Sequence, residues 1–437
     1  MNRRNFHQLC IGAGLYGSGI MAQTELLAKT LDVKNPADIL NLPSDLRSIF
    51  DQPYPRFSEA EYLRRKQALV DLMNAADIDI ILLVTAGGVG NATRWITNWP
   101  GTQQALTTFK KDQTSTMFVE YHNHVPLAKI LAKNVEVIWG GDKGMGPLME
   151  HLALQNPKKI GVIGPLVGPR WKILESKYQV VSLDNEYIKL RMNKSEEEIS
   201  WLRIGAAMSD LGMAALIKGT RPGMTEHQLG DLIERSYISL GGNNWIHYIG
   251  STSMQSPDVS VPRQFTSTRK IQKGDFVFCE LSASFWDYSG QVLRGFSVDA
   301  EPTNLYKDLH NTAFEAFHAI TKTIRPGVNT KELIEASGVI EKNGFTTNDD
   351  LVHGYGGGYF APILGSKSRP SGHSSDLVLQ ENMCMVVQPN VITKDEKAGV
   401  QFGELIRVTK TGFESLHRTP QGLFRAGQDL KSIKSRI

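Results

Sequence analysis

A carboxylate inside an apolar strand and a histidine among glycines can exchange a proton near neutral pH. The first pattern is Phe276-Val277-Phe278-Cys279-Glu280-Leu281, and the second is Leu351-Val352-His353-Gly354-Tyr355-Gly356. Alternation along a strand puts Phe276, Phe278 and Glu280 on one face. Two aromatic neighbours would partly desolvate the carboxylate, raise its pKa and suit it to acid or base duty. Glycines at 354, 356, 357 and 358 would let backbone approach a ligand closely beside His353. Glu280 is equally suited to a salt bridge with Arg294 or Arg263. His247, in Trp245-Ile246-His247-Tyr248, suits either proton exchange or hydrogen-bonded packing. Cys279 must point away from the Glu280 face, which argues against it as a nucleophile, and Cys384 reads as a buried thiol. His373, in Pro370-Ser371-Gly372-His373, reads as a loop residue able to line an entrance.

These residues need elements to hold them, and the sequence supplies two sets. An amphipathic pattern over Glu59–Ala76 precedes the short, mostly apolar run Asp77–Val84. Similar strand patterns recur at Ser115–Val119, Val135–Ile138 and Ile160–Ile163, with helical patterns between them. Alternation of strands and helices predicts an α/β domain over residues 56–193. Ser195 followed by Glu198 has capping-box spacing, so a helix is expected to start there and open a second domain, 194–420. That domain echoes itself. Arg221-Pro222-Gly223 and Arg325-Pro326-Gly327 each precede a helical pattern, 326 − 222 = 104 residues apart. His247 and His353 follow at 353 − 247 = 106, and Glu280 and Gln388 at 388 − 280 = 108. Two similar halves around one cleft is the simple reading.

Composition sets the outer limits. The 437 residues are 41% hydrophobic and 21% charged, which excludes a disordered or fibrous chain. The formal net charge of +3 comes with no basic run, so neither nucleic acid nor a membrane is expected as partner. Three cysteines cannot build a disulfide framework. The opening Met1-Asn2-Arg3-Arg4-Asn5-Phe6, followed by a weakly apolar Leu9–Ala22, resembles a twin-arginine export signal. Residues 1–22 are therefore expected to be a leader to the periplasm, 23–55 a lead segment, and 421–437 a tail.

Over residues 56–420 the chain resembles the creatinase/aminopeptidase P family. The motifs are Lys273-Gly274-Asp275 entering a strand, Leu293-Arg294-Gly295-Phe296, His353-Gly354-Tyr355-Gly356, and Gln388-Pro389 where the family has Glu-Pro. The resemblance implies an α/β architecture: an N-terminal creatinase-like α/β domain followed by a C-terminal pseudo-twofold pita-bread α+β domain. It also implies a homodimer. Metallopeptidases of the family hold two divalent ions with two Asp, one His and two Glu. Carried over, those positions fall on Glu280, Gln291, His353, Gln388 and Gly403, with Glu404 next to the last. The family's further histidines fall on Arg263 and Phe360. The aromatic residues Trp245, Tyr248, Phe285, Trp286, Tyr288, Tyr355, Tyr359 and Phe360 lie in segments bordering the family's cleft. They suit either core or a pocket for a small organic or cationic ligand.

Two neutral amides in place of carboxylates are poor ligands for a pair of divalent ions, so no metal and no other cofactor is expected. Creatinase cleaves a C–N bond with histidine and carboxylate groups and no metal. The expected activity is therefore a metal-independent hydrolase, or a lyase, acting on a small nitrogen-containing compound. His353 and Glu280 would be catalytic. His247, Arg263, Arg294, Gln291, Gln388, Glu404, Tyr355 and Phe360 would bind substrate, with an arginine fork on an anionic group. The alternatives are an Xaa-Pro aminopeptidase with a degenerate metal site and a non-catalytic binding protein.

Overall fold

The structure is a computed structural model that describes residues 35–85, 92–101, 105–141, 145–373 and 376–430. Arg3 and Arg4, on which the expected export leader rests, lie outside the described residues. Residues 1–42 form one unit, of which the described part is a short helix, Pro36–Ile39, capped by the Asn35 side chain. Residues 43–437 form the other unit and carry, among the described residues, two large sheets and a two-stranded pair of Thr346–Thr347 with Val391–Ile392.

Among the described residues the first sheet has six strands: β1 (Ile80–Val84), β2 (Ala105–Lys110), β3 (Ser115–Val119), β4 (Glu136–Trp139), β5 (Lys159–Ile163) and β6 (Gln179–Ser182). Their order is β4-β3-β2-β1-β5-β6. Pairing is antiparallel at β1–β2 and β2–β3 and parallel elsewhere, so this is a mixed α/β sheet. The run β1 is buried at every residue, as expected for a strand covered on both faces. Helix α1 (Glu59–Ala76) starts at Ser58, whose side chain accepts from the Glu61 amide, and buries Leu69, Leu72 and Met73 against the sheet.

The second sheet carries the candidate site residues Glu280, Gln291 and His353. Helix α2 (Glu196–Gly219) opens with the expected capping box, Ser195 and Glu198 each bonding the other's backbone amide. The repeated turns are both realised. Gly223 and Gly327 each sit at φ +89°, a conformation that favours glycine. Each turn leads through a capping box, at Thr225 and Asn329, into α3 (Glu226–Tyr237) and α5 (Thr330–Ala336). Between them lie β7 (Asn243–Ser253), β8 (Asp275–Phe285), β9 (Tyr288–Ser297) and the long helix α4 (Asn304–Thr323). After α5 come β10 (Val352–Tyr355), β11 (Tyr359–Leu364), β12 (Cys384–Val387) and β13 (Gly403–Val408). The path β11-β10-β12-β13-β9-β8-β7 is a curled antiparallel sheet, with Phe413–Ser415 added beside β13 and Phe424–Arg425 beside β9.

Helix α2 lies almost on the backbone of β9. A Cβ at Gly205 would stand 2.2 Å from the Tyr288 carbonyl oxygen, so only glycine permits that approach. Buried charge joins this helix to the first sheet. Tyr288 donates to Glu198 Oε1 at 2.9 Å, and Arg65, stacked 3.9 Å from the Phe57 ring, donates to Glu61 and the Trp95 carbonyl. Burial alone would raise the Glu198 pKa, but Arg65, Arg191 and Lys194 outweigh it and hold the carboxyl at about 2.

Candidate functional site

Strand parity decides which side chains meet. In the register of β8 with β9, Glu280 faces Leu293 and Gln291 faces Ser282, so Glu280 and Gln291 share a face. On β10 and β12 the same face carries His353, opposite Val386, and Tyr355. Gln388 follows β12 at matching parity. These five residues line one cavity of about 480 Å³ together with Trp245, Tyr248, Tyr359, Asp349 and Asp350.

A chain of amides runs across the cavity floor. Gln291 Nε2 donates to Glu280 Oε1 at 2.8 Å and to Gln388 Oε1 at 3.0 Å. Gln388 Nε2 in turn lies 3.4 Å from Asp349 Oδ2 and 3.3 Å from Asp350 Oδ1. The Gln291 amide oxygen is buried and has no partner among the described residues. His353 is 1% exposed; its Nδ1 faces the Gly354 carbonyl at 3.4 Å and its ring stacks on Tyr359 at 4.3 Å. Tyr359 donates to Asp350 Oδ2 at 2.9 Å, and His353 Nε2 is 3.9 Å from the same oxygen.

This environment separates the proton affinities. Burial pushes Glu280 up to about 8, helped by the negative charge of Asp349 and Asp350. Burial and its neighbour Asp350 push Asp349 up to about 7. Burial lowers His353 to about 4, so its imidazole is neutral at pH 7. A protonated carboxyl and an ionisable one in a single cavity can act as an acid and a base.

Several residues expected in this cavity stand elsewhere. Arg294 lies opposite Cys279 and Glu404 opposite Val292, both on the far face of the sheet. There Arg294 ion-pairs with Glu404 and donates to the carbonyls of Gly403, Leu293, Pro420 and Thr419. His247 is also on the far face: it neighbours Tyr248, whose partner is Glu280, and its Nδ1 lies 2.8 Å from Glu234 of α3. Phe360 pairs with Gly354 on the far face, and Lys194 sits 4.6 Å from its ring centre. Arg263 is exposed, and its neighbours Pro262 and Gln264 line the cavity while it does not. Among the aromatics, Phe285 and Tyr288 pack with Trp201, and Trp286 lies beneath Arg94, all outside the cavity. His373 is exposed and does not line it. Asp349 and Asp350 were not anticipated. The signal for them was the acidic pair immediately ahead of Leu351-Val352-His353.

Two divalent ions do not fit these donors. Both glutamines are neutral, and their amides are engaged with each other and with carboxyl groups. Gly403 occupies the cavity-side position on β13, opposite Leu293, and offers no side chain. A Cβ there would stand 2.3 Å from the Val387 carbonyl oxygen and 2.7 Å from the Gln388 Cα. Among the described residues no three His, Cys, Asp or Glu side chains converge in a metal-binding group.

Residues 200–410 match the profile described as metallopeptidase family M24. An uncharacterized hydrolase/peptidase of Sinorhizobium fredii is 25% identical over 388 residues, covering 84% of this chain and 97% of that protein. A Xaa-Pro dipeptidase of Pyrococcus horikoshii is 24% identical over 281 residues, covering 62% of this chain and 77% of the relative. In fold, the chain is similar to a Xaa-Pro dipeptidase from Bacillus anthracis, with TM-score 0.71 and 22% identity over 83% of this chain and 99% of that one. An X-Pro aminopeptidase from Thermotoga maritima gives TM-score 0.70 and 20% identity, with the same two coverages.

Proposed function

We propose that the chain is an M24-type hydrolase of a C–N bond in a small compound, working without the family's paired metal ions, a reading supported by the match of residues 200–410 to metallopeptidase family M24. One observation carries this reading: the Gln291 and Gln388 amides bridge Glu280 to the Asp349–Asp350 pair where divalent ions would need charged oxygens.

The chemistry follows from the protonation states. Asp349, in its ionised form, takes a proton from water as the water oxygen attacks the carbonyl carbon. Glu280, protonated at neutral pH, gives its proton to the leaving nitrogen as the C–N bond breaks. The products are a carboxylic acid and an amine, and a proton passing from Asp349 to Glu280 resets the site. His353 stays neutral beside them and offers Nε2 as a hydrogen-bond acceptor.

A second reading is favoured by the names of the relatives, which include Xaa-Pro dipeptidases. In it the chain cleaves such peptides with a metal bound at a reduced set of ligands. Assay of the purified chain on Xaa-Pro dipeptides and small N-acyl amines, before and after EDTA, separates the two. The expected result is hydrolysis that survives chelation. Loss of activity in EDTA, restored by Mn²⁺ or Zn²⁺, would defeat the metal-free mechanism.

Export by the twin-arginine route is also our proposal, resting on Arg3-Arg4 and the weakly apolar stretch that follows. Changing both arginines to lysine should strand the protein in the cytoplasm. Undiminished periplasmic protein from that double variant would count against it.

A further inference from the structure

The cavity has a charge balance that its own residues leave open. It is lined by three carboxyl groups, Glu280, Asp349 and Asp350, and by no lysine or arginine among the described residues. The cation nearest any of the three is His353, 3.9 Å from Asp350, and burial keeps that imidazole neutral. Glu280 keeps its proton at pH 7, so the negative charge left without a counter-ion is that of the half-buried Asp349–Asp350 pair, and its cost falls when a ligand supplies positive charge.

Three further features say what kind of cation fits. The carboxyls share the cavity with the rings of Trp245, Tyr248 and Tyr359, and aromatic faces attract organic cations. Trp245 and Tyr359 are 41% and 50% exposed, so their rings stand at the mouth, where an incoming head group meets them first. The Gln291 amide oxygen, on a side chain 1% exposed, lines the same cavity and lacks a donor. An amide N–H of the bond to be cut, beside the cationic head group, would satisfy it, and a carboxylate, which only accepts, would not. The arginine expected to capture an anionic group, Arg294, is fully buried on the far face of the sheet.

Resting on the reading that this cavity is where the chain does its chemistry, we propose that its substrate is an organic cation. A protonated or quaternary amine sits against Asp350 and the Trp245 and Tyr359 rings, and no free carboxylate is required. The cavity, at about 480 Å³, has room for such a head group and the bond to be cut.

The test uses the full chain and three probes of similar size: benzyltrimethylammonium, benzoate and benzyl alcohol. Calorimetric titration at pH 7 should show saturable binding of the ammonium compound at least tenfold tighter than of the other two. Trp245→Ala, at an exposed position that does not threaten folding, should weaken it about tenfold, with Trp245→Phe recovering part of the loss. Asp350→Asn should weaken it by a similar factor. Equal binding of all three probes, or ammonium binding unchanged in Trp245→Ala and Asp350→Asn, would overturn the proposal. So would tighter binding of benzoate that is lost in Arg263→Ala, or tight binding of Mn²⁺ that displaces the ammonium compound.

Glu280→Gln separates this proposal from the hydrolase reading. Site-dependent ammonium binding that survives in Glu280→Gln, with no C–N hydrolysis by wild-type protein, would sink the hydrolase and leave the cation site standing. Hydrolysis of uncharged or anionic compounds that benzyltrimethylammonium neither binds against nor inhibits would do the reverse.

Discussion

Glu280→Gln is expected to lower kcat about a thousandfold, within the range for loss of a general acid, while the chain stays folded. Glutamine keeps the shape of the side chain and can still meet Gln291, but it has no proton to give the leaving nitrogen. The pH profile should change with the rate. In the wild type, Asp349 must be ionised and Glu280 protonated, so kcat/KM should rise near pH 7 and fall again near pH 8. In the variant the fall at high pH should vanish. Stability should also move, with a definite sign. The folded chain holds the Glu280 proton up to about pH 8, whereas the unfolded chain releases it near the ordinary value of 4.5. The contribution of this carboxyl is therefore fully present below about 4.5 and is lost as pH rises to about 8. Glutamine carries no such dependence, so the variant's melting temperature relative to wild type should climb between pH 5 and pH 8.5. A full rate in Glu280→Gln would remove this residue from the mechanism.

Arg294→Met should cost about 3–5 kcal/mol of stability, because it leaves the Glu404 carboxylate buried without its partner. Arg294 is fully buried and Glu404 is 3% exposed. Gln421 is the one other side chain that bonds Glu404, at 3.1 Å, among the described residues. The guanidinium also ties β9 to the carbonyls of Gly403, Thr419 and Pro420, and methionine would orphan them. Replacing both partners, as Arg294→Met with Glu404→Leu, should recover part of the loss. Denaturant titration reads the stability, and KM measured on folded protein reads the role. A stable Arg294→Met with a KM raised tenfold or more would restore this arginine to substrate binding.

The framework of the fold was legible because it depends on local pattern. The strand at Ser115–Val119 and the helix at Glu59–Ala76 appear at the expected bounds. The cap at Ser195 and the paired Arg-Pro-Gly turns need only a few adjacent residues to specify them. Strand β2 escaped notice because Thr107, Thr108 and Lys110 break its apolar run, although the strand is buried nearly throughout. The site was legible where its residues came from strand interiors of known parity, as with Glu280 and Gln291. Strand parity also marks the residues that cannot face the cavity. Arg294 stands three residues after Gln291 and so must face the other way, and the same holds for His247 beside Tyr248. Asp349 and Asp350 precede β10 in a segment without periodicity, where an acidic pair looks like any solvated turn. Only tertiary folding brings them over Gln388, 39 and 38 residues further along the chain.

The missing side chain at position 403 bears on whether this chain could ever be returned to metal chemistry. Gln388→Glu exchanges an amide for a carboxylate of the same size and Gln291→Asp for one a methylene shorter, and neither adds bulk, so those two steps are open. The step at Gly403 is not, because the volume that a Cβ would fill is already taken by the Val387 carbonyl and the Gln388 backbone. Bringing a carboxylate back there requires the two strands to separate, which breaks the ladder from Cys384–Arg407 to Val387–Glu404. The close packing at Gly403 therefore works as a lock: substitutions that preserve the backbone can restore charge to the cavity but leave it one ligand short of a paired-ion centre.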